Sequence, residues 1–144
     1  MKKIIYAVIP FYVMTVMTAG AQTQTQAGAR IKITAGDTAI YAVMYDNETA
    51  REFVSLLPLT LTAFDRIGLV KSTVLPRPIS DKGGRTRRYA RGAVFYWPEG
   101  PEVAFCYSDH LPQTVVPIIH IGMIESGVEV FQKYTGKIIV EPVD

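Results

Sequence analysis

The chain has 144 residues, 49% of them hydrophobic, with 15 Lys and Arg against 13 Asp and Glu and a single cysteine. That is enough for one core of ordinary size and too little for two, too apolar for a disordered segment, and too poor in cysteine for a disulfide scaffold. The formal net charge of +2 is carried by Lys2 and Lys3, without which 13 basic residues face 13 acidic ones.

Those two lysines precede an apolar run from Ile4 to Met17 and then the small residues Ala19, Gly20 and Ala21, the layout of a secretory signal peptide over residues 1–21, cleaved after Ala21. The run is shorter than the about 20 residues a membrane span needs, and Cys106 is too far along the chain to carry a lipid at the cleavage site. The mature chain is therefore expected to be exported, to the periplasm or beyond, without a membrane span. Its neutrality removes net basicity as an argument for nucleic acid. Cys106, alone and flanked by Phe105 and Tyr107, can form no intramolecular disulfide and reads as a small buried strand residue.

In chain order, residues 22–29 form a polar, small-residue tether, and folding is expected over residues 30–144. Residues 31–34 alternate, Gly36 and Asp37 offer a turn, and residues 39–44 return as the second strand of a hairpin. Ala50, Phe53, Val54 and Leu57 then fall at i, i+3, i+4 and i+7, one apolar stripe of a helix, with Thr49 and Glu52 at the spacing of a capping box. Pro58 stops it. The sequon Asn47-Glu48-Thr49 is read through Thr49 as that cap. Strands are expected at 59–64, 70–75, 93–97, 103–107, 118–124 and 137–143. Between the last two, Ser126 and Glu129 again have capping-box spacing, and Val128 and Phe131 face inward from a short helix ending near Gly136. About eight short strands and two helices in one small domain describe a mainly β, closed or nearly closed barrel with helical caps.

The string T-A-R-E-F-V-S-L-L at Thr49 to Leu57 resembles the cyclophilin helix written T-A-x-N-F-x-x-L. The segment Ile121 to Val130 resembles the F-G-x-V-x-x-G-x-x-V segment near the cyclophilin C-terminus. D-N-x-T-A, L-L-P-L-T-L, Y-W-P-E-G-P and I-G-x-I-x-S-G-x-E, in that order, are also similar to a compact bacterial group of cyclophilin-like proteins. The resemblance spans nearly the whole mature chain and implies an eight-stranded barrel with a helix closing each end.

It also implies a chemistry. Prolyl isomerisation rotates a tertiary amide over a barrier of about 18–20 kcal/mol, which calls for an apolar seat for the ring and a cation that bonds the amide nitrogen as resonance is lost. In cyclophilins an arginine after F-H has that role, among phenylalanines, a glutamine, a tryptophan and a histidine. Phe64-Asp65-Arg66-Ile67 resembles F-H-R-I with Asp for His, making Arg66 the candidate catalytic residue. Nothing resembles the glutamine segment, no tryptophan lies in the loop that leads into Ile118, and His120 is displaced from the family's histidine and reads as a strand residue.

The candidate ligand-binding residues are aromatic. Phe95 and Trp97 share one face of their strand and Phe105 and Tyr107 share one face of theirs, so these faces either line a groove or fill the barrel. Lys82, Arg85, Arg87, Arg88 and Arg91 lie in a Gly-containing loop with Tyr89, a solvated loop or a contact for an anionic surface, glycan or acidic partner. Export argues against nucleic acid there. Ser108-Asp109-His110 holds the residue types of a hydrolase triad, but consecutive residues cannot each aim from a rigid support, and a turn is expected. Two histidines without H-x-H or H-E-x-x-H spacing give no metal pattern, and no cofactor is expected. The expected activities are thus two: a module that holds a Pro-containing peptide segment or small ligand, or a peptidyl-prolyl isomerase.

Overall fold

The computed structural model describes residues 27–109 and 116–144. The expected signal peptide, residues 22–26 of the tether, and His110 lie outside the described residues. Eight strands, β1 (Ala27–Ala35), β2 (Thr38–Tyr45), β3 (Leu59–Arg66), β4 (Val70–Val74), β5 (Ala93–Trp97), β6 (Glu102–Cys106), β7 (Ile119–Ser126) and β8 (Gly136–Val143), are joined by helices α1 (Glu48–Ser55) and α2 (Val130–Lys133). The strands close into an antiparallel barrel in the order β1-β2-β7-β5-β6-β4-β3-β8. Closure matters because it leaves no sheet edge as a template for another chain. No helix among the described residues is long and apolar enough to cross a membrane.

The hairpin of β1 and β2 forms around Gly36 and Asp37 as expected, with Gly36 at φ +59. β1 begins at Ala27, ahead of the expected start at Arg30, across a register irregularity between those two residues. Alternation then sorts side chains cleanly: Ile31, Ile33, Ile40, Ala42, Met44, Ile138 and Val140 are buried inside, while their neighbours along the strand face out. Inside the barrel Phe131 of α2 stacks on Phe105 of β6, ring centroids 4.8 Å apart.

Both capping boxes are corrected. The N-cap of α1 is Asn47, whose Oδ1 accepts from the Ala50 N–H at 2.8 Å and whose Nδ2 donates to the His120 carbonyl at 2.9 Å. Thr49 and Glu52 instead hold the long connection from β4 to β5. Thr49 Oγ1 accepts from the Gly83 N–H, and the Glu52 carboxylate accepts from the Ser80 N–H and from Arg77. A residue one turn into a helix can serve either its own terminus or a strap packed across it, and here the strap wins because Asn47 already fills the cap. The N-cap of α2 is Glu129, with no side-chain capping bond, and Ser126 remains in β7.

The strap explains why β4, β5 and β6 are buried on both faces. It packs Leu75 and Ile79 into the core and gives the Ile79 N–H to the Tyr96 hydroxyl. It then pairs Thr86 with Ile118 through two backbone bonds of 2.8 Å and lays Tyr89 edge-on against Phe95 on the outer surface.

Candidate functional site

The register of the β5–β6 hairpin decides which aromatics are available. Trp97 pairs with Glu102, Phe95 with Ala104 and Val94 with Phe105. Paired residues share a face, so Phe95, Trp97, Glu102 and Ala104 point outward while Val94, Val103 and Phe105 point inward. The small Ala104 beside Phe95 leaves a depression in the outer surface rather than a filled layer.

This depression is a concavity of about 470 Å³. Its floor is the outer cluster of Val70, Phe95, Ala104 and Ile118. Tyr89 from the strap and Val116 from the segment before β7 form one side, and Asp65, Arg66 and Ile67 from the β3–β4 turn form the other. Ser72, Trp97 and Glu102 complete the lining.

Arg66, Phe95 and Trp97 therefore meet in one concavity. Phe105 and Tyr107 do not: both belong to the interior cluster, Phe105 wholly buried under Phe131, because the four residues between Trp97 and Glu102 set β6 with its even-numbered positions outward. Tyr107 reaches the site at one remove. Its hydroxyl donates to Asp65 Oδ1, which also accepts from Lys71 Nζ at 3.0 Å, while Asp65 Oδ2 accepts from the Gly68 N–H at 2.9 Å. These bonds, the one from Tyr107 foremost, hold the Asp65 carboxyl below its ordinary range against a desolvation that pushes the other way. Burial, reinforced by Asp65, pushes the Tyr107 phenol up to about 12.

Arg66 is not free. Its Nη2 and Nε donate to Glu102 Oε1 at 2.6 and 3.3 Å, and its guanidinium lies 5.6 Å from the Trp97 ring centroid. The Arg66 side chain is 46% exposed and that of Glu102 only 3%. Glu102 Oε2 is buried and has no hydrogen-bond partner. Sequence reasoning missed Glu102, although the P-E-G-P turn between two strands is a signal that places it opposite Trp97.

Ile67 was also missed as more than a motif residue. Leu69 N–H bonds the Arg66 carbonyl, and the two residues between, Ile67 and Gly68, have φ +50 and +71. Two positive values in a two-residue hairpin are the type I′ pattern, which favours Asn-Gly. Ile67 is the single non-glycine residue with positive φ among the described residues, and it is 83% exposed at the rim.

The remaining expected features fall elsewhere. Cys106 is buried in the outer cluster beneath the site, where desolvation pushes its thiol up to about 11. His120 is a half-buried β7 residue whose Nε2 donates to the Arg88 carbonyl at 2.5 Å, fastening the strap. In the basic loop, Arg85 pairs with Glu99 and Asp81, and Arg91 lies 3.9 Å from Glu129, so acids of the same surface balance part of its charge.

A closed eight-stranded barrel with helical caps is the architecture the sequence resemblance implied. The profile of the cyclophilin-like family matches residues 33–141, and the chain belongs to that family. Among solved structures, the chain is similar to the hypothetical protein AF2241 from Archaeoglobus fulgidus, determined in solution. The TM-score is 0.66 and the identity 18%, over 84% of this chain and 100% of that one, which establishes a common fold. No curated protein matches the sequence.

Proposed function

We propose that this protein is an exported binding module whose outer-face concavity seats a small ligand or peptide segment, without efficient isomerase turnover. The observation that carries this reading is the Arg66–Glu102 pair. An isomerase of the kind the resemblance implies needs a cation whose N–H groups can turn to an amide nitrogen as charge develops there. Two Arg66 donors are already spent on a buried carboxylate that neutralises the charge locally. An apolar lining, an exposed Ile67 at the rim and self-contained ion pairs suit retention of a ligand instead. The signal-peptide layout of residues 1–21 supports export.

The convergence of Arg66, Phe95 and Trp97 favours a second reading, peptidyl-prolyl isomerisation on exported proteins, in which ligand binding breaks the Arg66–Glu102 bonds. A proline cis-to-trans relaxation assay separates the two. Residues 22–144 should give a rate no faster than the uncatalysed one. Acceleration that disappears in both Arg66→Ala and Arg66→Lys, with each variant folded by circular dichroism, would replace the binding reading with the enzymatic one.

A further inference from the structure

The concavity described above holds an unmet hydrogen-bonding demand, and the inference drawn from it rests on that concavity being a binding site. Glu102 lines it, is 3% exposed, and presents two oxygens of unequal standing. Oε1 receives both bonds from Arg66, whereas Oε2 is buried and receives none. Buried carboxylate oxygens are nearly always satisfied, and leaving one bare is costly. The other charges of the lining are met from within the chain: Arg66 by Glu102, and Asp65 by Lys71 and Tyr107. The rest of the floor is apolar, formed by Phe95, Ala104 and Ile118.

We propose that the concavity selects an uncharged ligand with an apolar ring and an N–H donor, as in a secondary amide, and that the Glu102 carboxylate, whose Oε2 is buried in the unliganded protein, turns that oxygen toward the concavity to accept from this donor. A cation would meet Arg66 beside the same carboxylate, and an anion would add to Glu102 and Asp65, so neutrality follows from pairs already made. The donor requirement separates this ligand from an X–Pro amide, whose nitrogen carries no hydrogen. The apolar body rests on the Phe95 and Ala104 floor and meets Ile67 at the rim.

Trp97 is the only tryptophan of the chain and lines the concavity, so its fluorescence reports occupancy without a label. Titration of residues 22–144 with N-cyclohexylacetamide and with cyclohexyl acetate compares two ligands of nearly equal shape that differ in one N–H. The amide should bind on the order of tenfold tighter, the effect of one bond to a charged acceptor. Glu102→Gln keeps an oxygen for Arg66 and puts an NH₂ group where Oε2 stands, and should erase the preference. Cyclohexylammonium should bind more weakly than the amide. Equal affinity of amide and ester, an amide preference that survives in folded Glu102→Gln, or tighter binding of the cation would each overturn the proposal while leaving the concavity a binding site. Failure of both amide and ester to alter Trp97 fluorescence would overturn the proposal and the binding-module reading together.

Discussion

Replacing Ile67 by Asn should stabilise the protein while weakening ligand binding. A β-branched residue held at φ +50 carries the left-handed penalty of about 1–2 kcal/mol. Asn is the residue the first position of a type I′ turn prefers. Ile67 is 83% exposed, so little burial is lost, a few tenths of a kcal/mol at about 25 cal/mol per Å². The net gain is about 1 kcal/mol. With a urea m-value of about 2 kcal/mol/M, typical of a small domain, the unfolding midpoint should rise by about 0.5 M. Gly68→Ala is the control. A Cβ there meets nothing within 4 Å, so its destabilisation of about 1 kcal/mol would be conformational rather than steric. Ligand affinity, read from Trp97, should fall in Ile67→Asn because the rim loses its apolar contact. A midpoint equal to or below that of the parent would refute the strain argument, and undiminished affinity would remove Ile67 from the site.

Arg66→Ala should cost about 2–4 kcal/mol in urea denaturation, because it strands Glu102 in the wall with neither oxygen bonded; adding Glu102→Gln should recover part of the loss, and a pair no more stable than Arg66→Ala would count against this. Asn47→Ala loses both the α1 cap and the bond to the His120 carbonyl, about 1–3 kcal/mol, and Asn47→Asp should restore the capping part alone, leaving it between Asn and Ala. In alkali, Cys106 and Tyr107, whose folded-state values are raised to about 11 and about 12, hold their protons more tightly when folded. Stability should be complete below about pH 9 and fall as pH rises through 11 to 12, with Cys106→Ala flattening the lower part of that decline. In acid the sign reverses: Asp65, lowered when folded, contributes above about pH 4, and this is lost as pH falls further, unless Asp65 is replaced by Asn.

The barrel was readable because β1, β2 and β8 alternate, Gly36-Asp37 marks the first turn, and the remaining strands are short β-branched and aromatic runs. The cap of α1 was misread because Asn47 and Thr49 are both good capping residues, and only the strap, remote in sequence, assigns Thr49 to Gly83. Half of the candidate site was readable for a similar reason. Alternation groups Phe95 with Trp97 and Phe105 with Tyr107, but does not say which pair faces out; the hairpin register does. Counting four residues from Trp97 to Glu102 places the latter across from the former, turns Ala104 outward and sends Phe105 inside. Val116, Ile118 and Tyr89 join the lining through the Thr86–Ile118 bridge, a pairing of distant segments that local pattern does not encode.

The same register that removes Tyr107 from the ligand surface gives it a mechanical role. Its ring is in the interior, yet its hydroxyl reaches Asp65, and Asp65 in turn holds Gly68, so the core braces the turn that carries Arg66 and Ile67. Tyr107→Phe should keep the packing and remove that brace. The Asp65 carboxyl should move up toward its ordinary range, since the Tyr107 bond is the largest cause holding it down. The stability cost should be about 1 kcal/mol rather than the fuller value for a bond to a buried charge, because Asp65 is half exposed to water that can replace the lost donor. Affinity for N-cyclohexylacetamide should fall although no lining atom has been changed, because Ile67 then has more conformations to lose on binding. A Tyr107→Phe protein with a raised Asp65 pKa and unaltered affinity would show that the turn keeps its shape without the core, and that strain at Ile67 is maintained by the hairpin alone.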